Sequence, residues 1–133
     1  MDIVKFKDVN SKIISLRNEN VILDSDVAAS YGVETRDINK SVKNNPDKFP
    51  FGYVLELNKE EFDNLRWNIS TTNLTKTRVL PKAFTKKGCY MLATILKSPK
   101  ATEATISIIE AFEKMQDMST AIVELMKDHE NEQ

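Results

Sequence analysis

The chain has 133 residues, is 41% hydrophobic and carries a formal net charge of −1, which suits one domain with room for an appended helix. It holds no run of about 18 apolar residues, so no membrane span is expected. Its single cysteine excludes an internal disulfide, and its single histidine, His129, stands too far from Cys89 to make a zinc site expected. MDIVKFKDVN is too mixed in charge for a secretory signal, so a cytoplasmic protein is expected.

In chain order, residues 1 to 10 read as a strand or a loose arm. Ile13 to Leu16, a polar Arg17 to Asn20 and then Val21 to Leu23 read as a β-hairpin. The next stretch, Leu23 to Phe49, reads as two short helices joined by a tight turn. Asp24 or Ser25 is placed to cap the first helix, whose apolar face is Val27, Ala28 and Tyr31. Gly32 permits the left-handed backbone of a helix-ending turn. Thr35 is placed to cap the second helix, which Ile38 and Val42 anchor inward. Arg36, Asn39, Lys40, Lys43 and Asn44 are left pointing outward. This is the packing pattern of a helix-turn-helix, and Arg, Asn and Lys are side chains that read bases and phosphates. An ordinary helical hairpin with a solvated polar face would share much of it.

Pro46 and the Phe49 to Gly52 run end that helix. Tyr53 to Leu57 alternates as a strand, with Tyr53, Leu55 and Leu57 on one face. Asn58 with Glu61 resembles a capping box and opens a helix with Phe62 and Leu65 inward, ending near Trp67. Asn68 to Arg78 has no sustained periodicity and reads as a mobile loop or a β-wing. Thr85 caps a helix reaching Leu96, with Cys89, Leu92 and Leu96 inward. Cys89 is thus a core residue rather than a nucleophile. Ser98-Pro99 starts a last helix that nothing breaks before about Asp128. In it Ile108, Ala111, Met115, Met118, Ile122, Leu125 and His129 recur at heptad spacing, with Phe112 and Met126 widening the apolar face. These residues are the expected dimerisation seam; a single helix lying on its own core is the alternative.

Charge is unevenly placed. No acidic residue occurs between Asp63 and Glu103, an interval holding Arg66, Lys76, Arg78, Lys82, Lys86, Lys87, Lys97 and Lys100. Residues 103 to 133 carry two lysines against eight acids. A basic middle followed by an acidic tail points to a polyanion partner.

The chain resembles the phage ORF-six N-terminal domain, a relative of the KilA-N and Bro-N domains. The blocks that carry it are Leu23 to Asp26, Ala28 to Val33, Glu34-Thr35, Asn39, Phe49-Pro50 and Leu57 through Phe62 to Leu65-Arg66. Further along come Leu80-Pro81, Ala83 to Thr85, Gly88, Met91-Leu92 and Ile109 to Phe112. They keep their order from about Ile13 to Met115. The resemblance implies a small α+β DNA-binding domain heading phage antirepressor-like or regulatory proteins, often followed by a separate C-terminal domain. Two departures stand out: the segment before Leu80 lacks the family's usual glycines and paired arginines, and the helix after Thr85 begins Lys86-Lys87 instead of with an acid.

The expected architecture is therefore α+β: small β-hairpins with a helix-turn-helix-like pair, and a long C-terminal helix. A DNA-binding domain would span 1–102, and a helix that forms a coiled-coil dimer would span 103–133. The expected function is a sequence-specific, non-catalytic double-stranded DNA-binding regulator of phage antirepressor type, needing no cofactor and no metal. Arg36, Asn39, Lys40 and Lys43 would enter the major groove, and Lys76, Arg78, Lys82, Lys86 and Lys87 would hold phosphates. The alternative is an interaction module, an antirepressor that binds a repressor protein through its acidic C-terminal helix. An enzyme is disfavoured. A metal nuclease needs clustered carboxylates, whereas Asp24 with Asp26 and Glu60 with Glu61 read as charges at helix starts.

Overall fold

A computed structural model describes residues 12–68 and 79–131. The segment at 1–11 and the one at 69–78, which includes Lys76 and Arg78, lie outside the described residues. So do the expected N-terminal arm and the loop or wing.

Strand β1 (Ile13–Leu16) and strand β2 (Glu19–Leu23) form the expected hairpin. Its loop is shorter than Arg17 to Asn20. Arg17 and Asn18 alone make the turn, with φ of 52° and 65°, the paired left-handed geometry of a two-residue hairpin turn. Helix α1 (Asp24–Tyr31) follows directly, then helix α2 (Thr35–Asn44) and a single 3₁₀ turn at Pro46–Lys48. Strand β3 (Val54–Glu56), helix α3 (Lys59–Asn68), strand β4 (Lys82–Phe84), helix α4 (Lys86–Ile95) and helix α5 (Pro99–Asn131) complete the chain.

The four strands form one antiparallel sheet in the order β1-β2-β4-β3. Strand β4 therefore sits inside the sheet, although only Lys82, Ala83 and Phe84 build it. Register explains why it holds. Ile13 faces Ile22, Ile22 faces Phe84 and Phe84 faces Val54, a row across all four strands on one side. That row packs with Val27, Ala28, Tyr31, Ile38, Cys89, Leu92, Ala101, Ile108, Ala111 and Phe112 in the larger core. Because strand side chains alternate, Ile14, Val21, Leu23, Ala83 and Leu55 point to the other side, where Phe62 and Leu65 of α3 cover them. The sheet is buried on both faces, with α1, α2, α4 and α5 on one and α3 on the other. This is an α+β fold.

Several local expectations hold. Asn58 and Glu61 exchange the reciprocal bonds of a capping box, 2.8 and 3.0 Å. Arg17 in the hairpin turn locks onto Glu61 at 2.7 and 2.8 Å and donates to the Glu56 carbonyl. The hairpin is thereby clamped to the start of α3. Thr85 caps α4 by accepting from the Gly88 N–H and donates to the Tyr53 carbonyl at 3.0 Å. Gly88 belongs at that cap because a Cβ there would overlap the Tyr53 carbonyl oxygen and crowd Phe84. Ser98 caps α5 by accepting from the Ala101 N–H at 3.1 Å. Cys89 is fully buried, and burial pushes its thiol up to about 12. That leaves it an inert core residue.

Helix α5 divides. Ala101, Thr105, Ile108, Ala111 and Phe112 are buried, Met115 packs at the core edge, and the Tyr31 hydroxyl is hydrogen-bonded to Thr105. The core thus continues through α5 past residue 102, where the domain boundary was expected. Beyond Met115 the described side chains are exposed.

Candidate nucleic-acid interface

The pair α1–α2 is held by a tight helix stop. Gly32 has φ 73°, the Val33 N–H bonds the Ala28 carbonyl at 3.0 Å, and the Gly32 N–H bonds Ala29. This double bond pattern satisfies the last carbonyls of α1 and turns the chain sharply. Helix α2 then starts on a cap that differs from expectation. Glu34, not Thr35, is the N-cap; its carboxylate and that of Asp37 exchange bonds with each other's backbone N–H. The longer Glu side chain can reach the third helical N–H, and Asp37 is at the position that returns the bond. The start of α1 also differs. Leu23 is the N-cap with no side-chain bond, and Asp24 is the first helical residue.

Asp24 has a different task. It is 4% exposed. Its carboxylate accepts from the Ser25 N–H at 2.8 Å, the Asn39 side-chain amide at 3.0 Å and the Lys82 backbone N–H at 3.2 Å. One carboxylate thus joins the start of α1, the middle of α2 and the start of β4. Sequence reading missed this because the link between residues 24, 39 and 82 is non-local. Asn39 is consequently half-buried rather than outward, and its carbonyl oxygen is buried without a hydrogen-bond partner among the described residues. One of the two Asn39 amide N–H donors is given to Asp24 and the carbonyl oxygen is buried, so this side chain does not present the paired donor and acceptor that read adenine.

Arg36, Lys40, Lys43 and Asn44 are exposed along α2. With Asn39, and with Lys82 from β4, they line one shallow depression. Arg36 reaches back to Glu34 at 2.6 Å, an exposed pair of little energetic weight. The remaining cations of the expected set lie elsewhere. Lys86 and Lys87 line a separate depression with Tyr53, Phe51, Phe112 and Gln116. Lys86 is paired with Glu113 of α5, and the Lys87 ammonium lies 5.9 Å from the centre of the Tyr53 ring. So the structure brings Lys82 to the α2 cations and sets Lys86 and Lys87 apart from them.

The expected seam divides in the same way. Ile108 and Ala111 are fully buried in their own core, and Met115 packs against it. Two of these positions are therefore closed to a second chain. Met118, Ile122 and Leu125 are open. Among the described residues no group of three or more His, Cys, Asp or Glu is placed to hold a metal ion, and no described helix is long and apolar enough to cross a membrane.

A family model described as the ORF6N domain matches residues 11–95. No curated protein and no solved structure matches the chain.

Proposed function

The chain belongs to the phage-associated ORF6N domain family, and from that premise we propose that it is a regulatory domain that binds double-stranded DNA in a sequence-specific manner, without catalysis, cofactor or metal. The observation that carries this reading is the convergence of Arg36, Lys40, Lys43 and Lys82 on one open depression beside a tightly turned helix pair. Four cations, with no carboxylate among the described residues lining the same depression, make a surface for phosphates. Arg36 is the group best suited to a base edge, because a guanidinium can make paired bonds to guanine. Asn39 and Asp24 act behind that surface by fixing where α2 sits. Lys76 and Arg78 belong to the same reading through the acid-free interval of the sequence.

Selection of bound duplexes from a random pool tests this. Enrichment of a motif is the expected result. Absence of enrichment together with absence of low-salt binding would remove the proposal. It would favour the second reading, an antirepressor that engages a repressor protein through the acidic C-terminal helix. That reading draws on the apolar stripe exposed along distal α5 and expects no salt-sensitive DNA affinity.

A further inference from the structure

After Met115, α5 continues for roughly sixteen residues, about 24 Å, with its described side chains exposed. A lone helix of that length is marginal in water. This one also leaves Met118 52%, Ile122 55%, Val123 49%, Leu125 68% and Met126 62% exposed. Such a contiguous apolar stripe marks a docking surface. We propose that its occupant is a second copy of the same chain. Distal α5 packs parallel to its twin about a twofold axis, with Met118, Ile122 and Leu125 at the seam and Met115 at its inner end.

Spacing and charge select the twin. The steps from Met115 to Met118, Ile122 and Leu125 are three, four and three, so each copy offers the holes that the other's side chains fill. With Ile122 and Leu125 at the two core positions of a heptad, the flanking positions are Lys114, Ser119, Ala121, Met126 and Asp128. Of these only Asp128, at the far end, is acidic, and in a parallel pair its counterpart position is Gln133. Asp117 and Glu124 fall on the outer side, and Glu113 is occupied by Lys86. Two copies therefore meet without opposing carboxylates, and Ala121 and Met126 extend the buried strip. A β-branched residue at the first core position with Leu at the second favours two parallel strands. Ile108 and Ala111 take no part, since each is enclosed in its own domain. The contact is at the small end of specific interfaces, so a dissociation constant of roughly micromolar order is expected.

The test is sedimentation of the full chain without DNA, which keeps it independent of the DNA-binding proposal. The parent should be a dimer at tens of micromolar. A variant carrying Ile122→Glu and Leu125→Glu should dissociate at least about a hundredfold more readily. Its thermal unfolding, measured for both proteins well below the parent's dissociation constant, should be unchanged, because both positions are exposed in the single chain. A Leu125→Cys variant adds a second thiol to a chain whose Cys89 is wholly buried, and mild oxidation should give a covalent dimer. A monomeric parent, a dimer that survives both glutamates, an assembly larger than two, or failure of the Leu125→Cys variant to cross-link would each overturn the proposal.

Discussion

Asp24 receives hydrogen bonds from Ser25, Asn39 and Lys82 while almost fully buried, and losing it would leave three half-buried donors without their acceptor. Asp24→Ala should destabilise the fold by about 2–4 kcal/mol, since an unsatisfied buried donor costs more than a bond contributes. Denaturant unfolding measures this. A loss within about 0.5 kcal/mol would mean that water replaces the carboxylate at no cost. Glu61 presents a different case. The Arg17 hydrogen bonds first, then the Asn58 N–H, hold its carboxyl down at about 2 from an ordinary 4.5. A folded-state value below the unfolded one stabilises above about pH 4.5, and that contribution disappears as pH falls toward 2. Arg17→Met should therefore flatten the decline in Tm between those limits relative to the parent. Identical acid limbs in the two proteins would place the acid sensitivity elsewhere.

At the scale of the element, α2 is positioned from three sides: by the Gly32 turn, by the Glu34–Asp37 cap and by the bond from Asn39 to Asp24. Its exposed cations are therefore carried on a fixed frame. If Arg36, Lys40, Lys43 and Lys82 each neutralise a phosphate, log affinity should fall against log salt with a slope of about −4 from these residues alone. Lys40→Ala and Lys43→Ala should each reduce the slope by about 1. Lys86→Ala and Lys87→Ala should change it less, because one lysine is paired with Glu113 and the other lies over Tyr53 in a separate depression. Binding titrations across a salt series separate the two pairs. Equal slope changes in all four variants would extend the DNA track across both depressions.

For the whole molecule, the decisive division is within α5. Its first part closes the larger core, and the described side chains of its second part are exposed. A chain ending after Met115 should therefore remain folded, with a thermal midpoint within about 4 °C of the full chain measured well below the dimer's dissociation constant. Circular dichroism at low concentration checks this, and a collapse of the midpoint would show that distal α5 is needed by its own domain. If the proposed dimer and DNA binding hold, the short form should occupy a single half-site. The full chain should favour a pseudo-palindrome with half-sites about one helical turn apart, because a twofold protein selects a twofold site.

Local devices were legible in the residues: the Gly32 turn, the Asn58–Glu61 box, the Thr85 and Ser98 caps, the long last helix and the α+β class. Each depends on a few neighbours in sequence whose chemistry points to one conformation. Tertiary structure decided what depends on residues far apart. Lys82 to Phe84 is too short to declare itself, and becomes an inner strand only because Ile22 and Val54 stand on either side of Phe84. Asn39 turns inward because Asp24, fifteen positions earlier, is buried against it. The heptad in α5 is continuous in sequence, but burial consumes Ile108 and Ala111 and leaves Ile122 and Leu125 exposed. An apolar period shows which face of a helix seeks cover; only the packed fold determines whether that cover comes from the same chain.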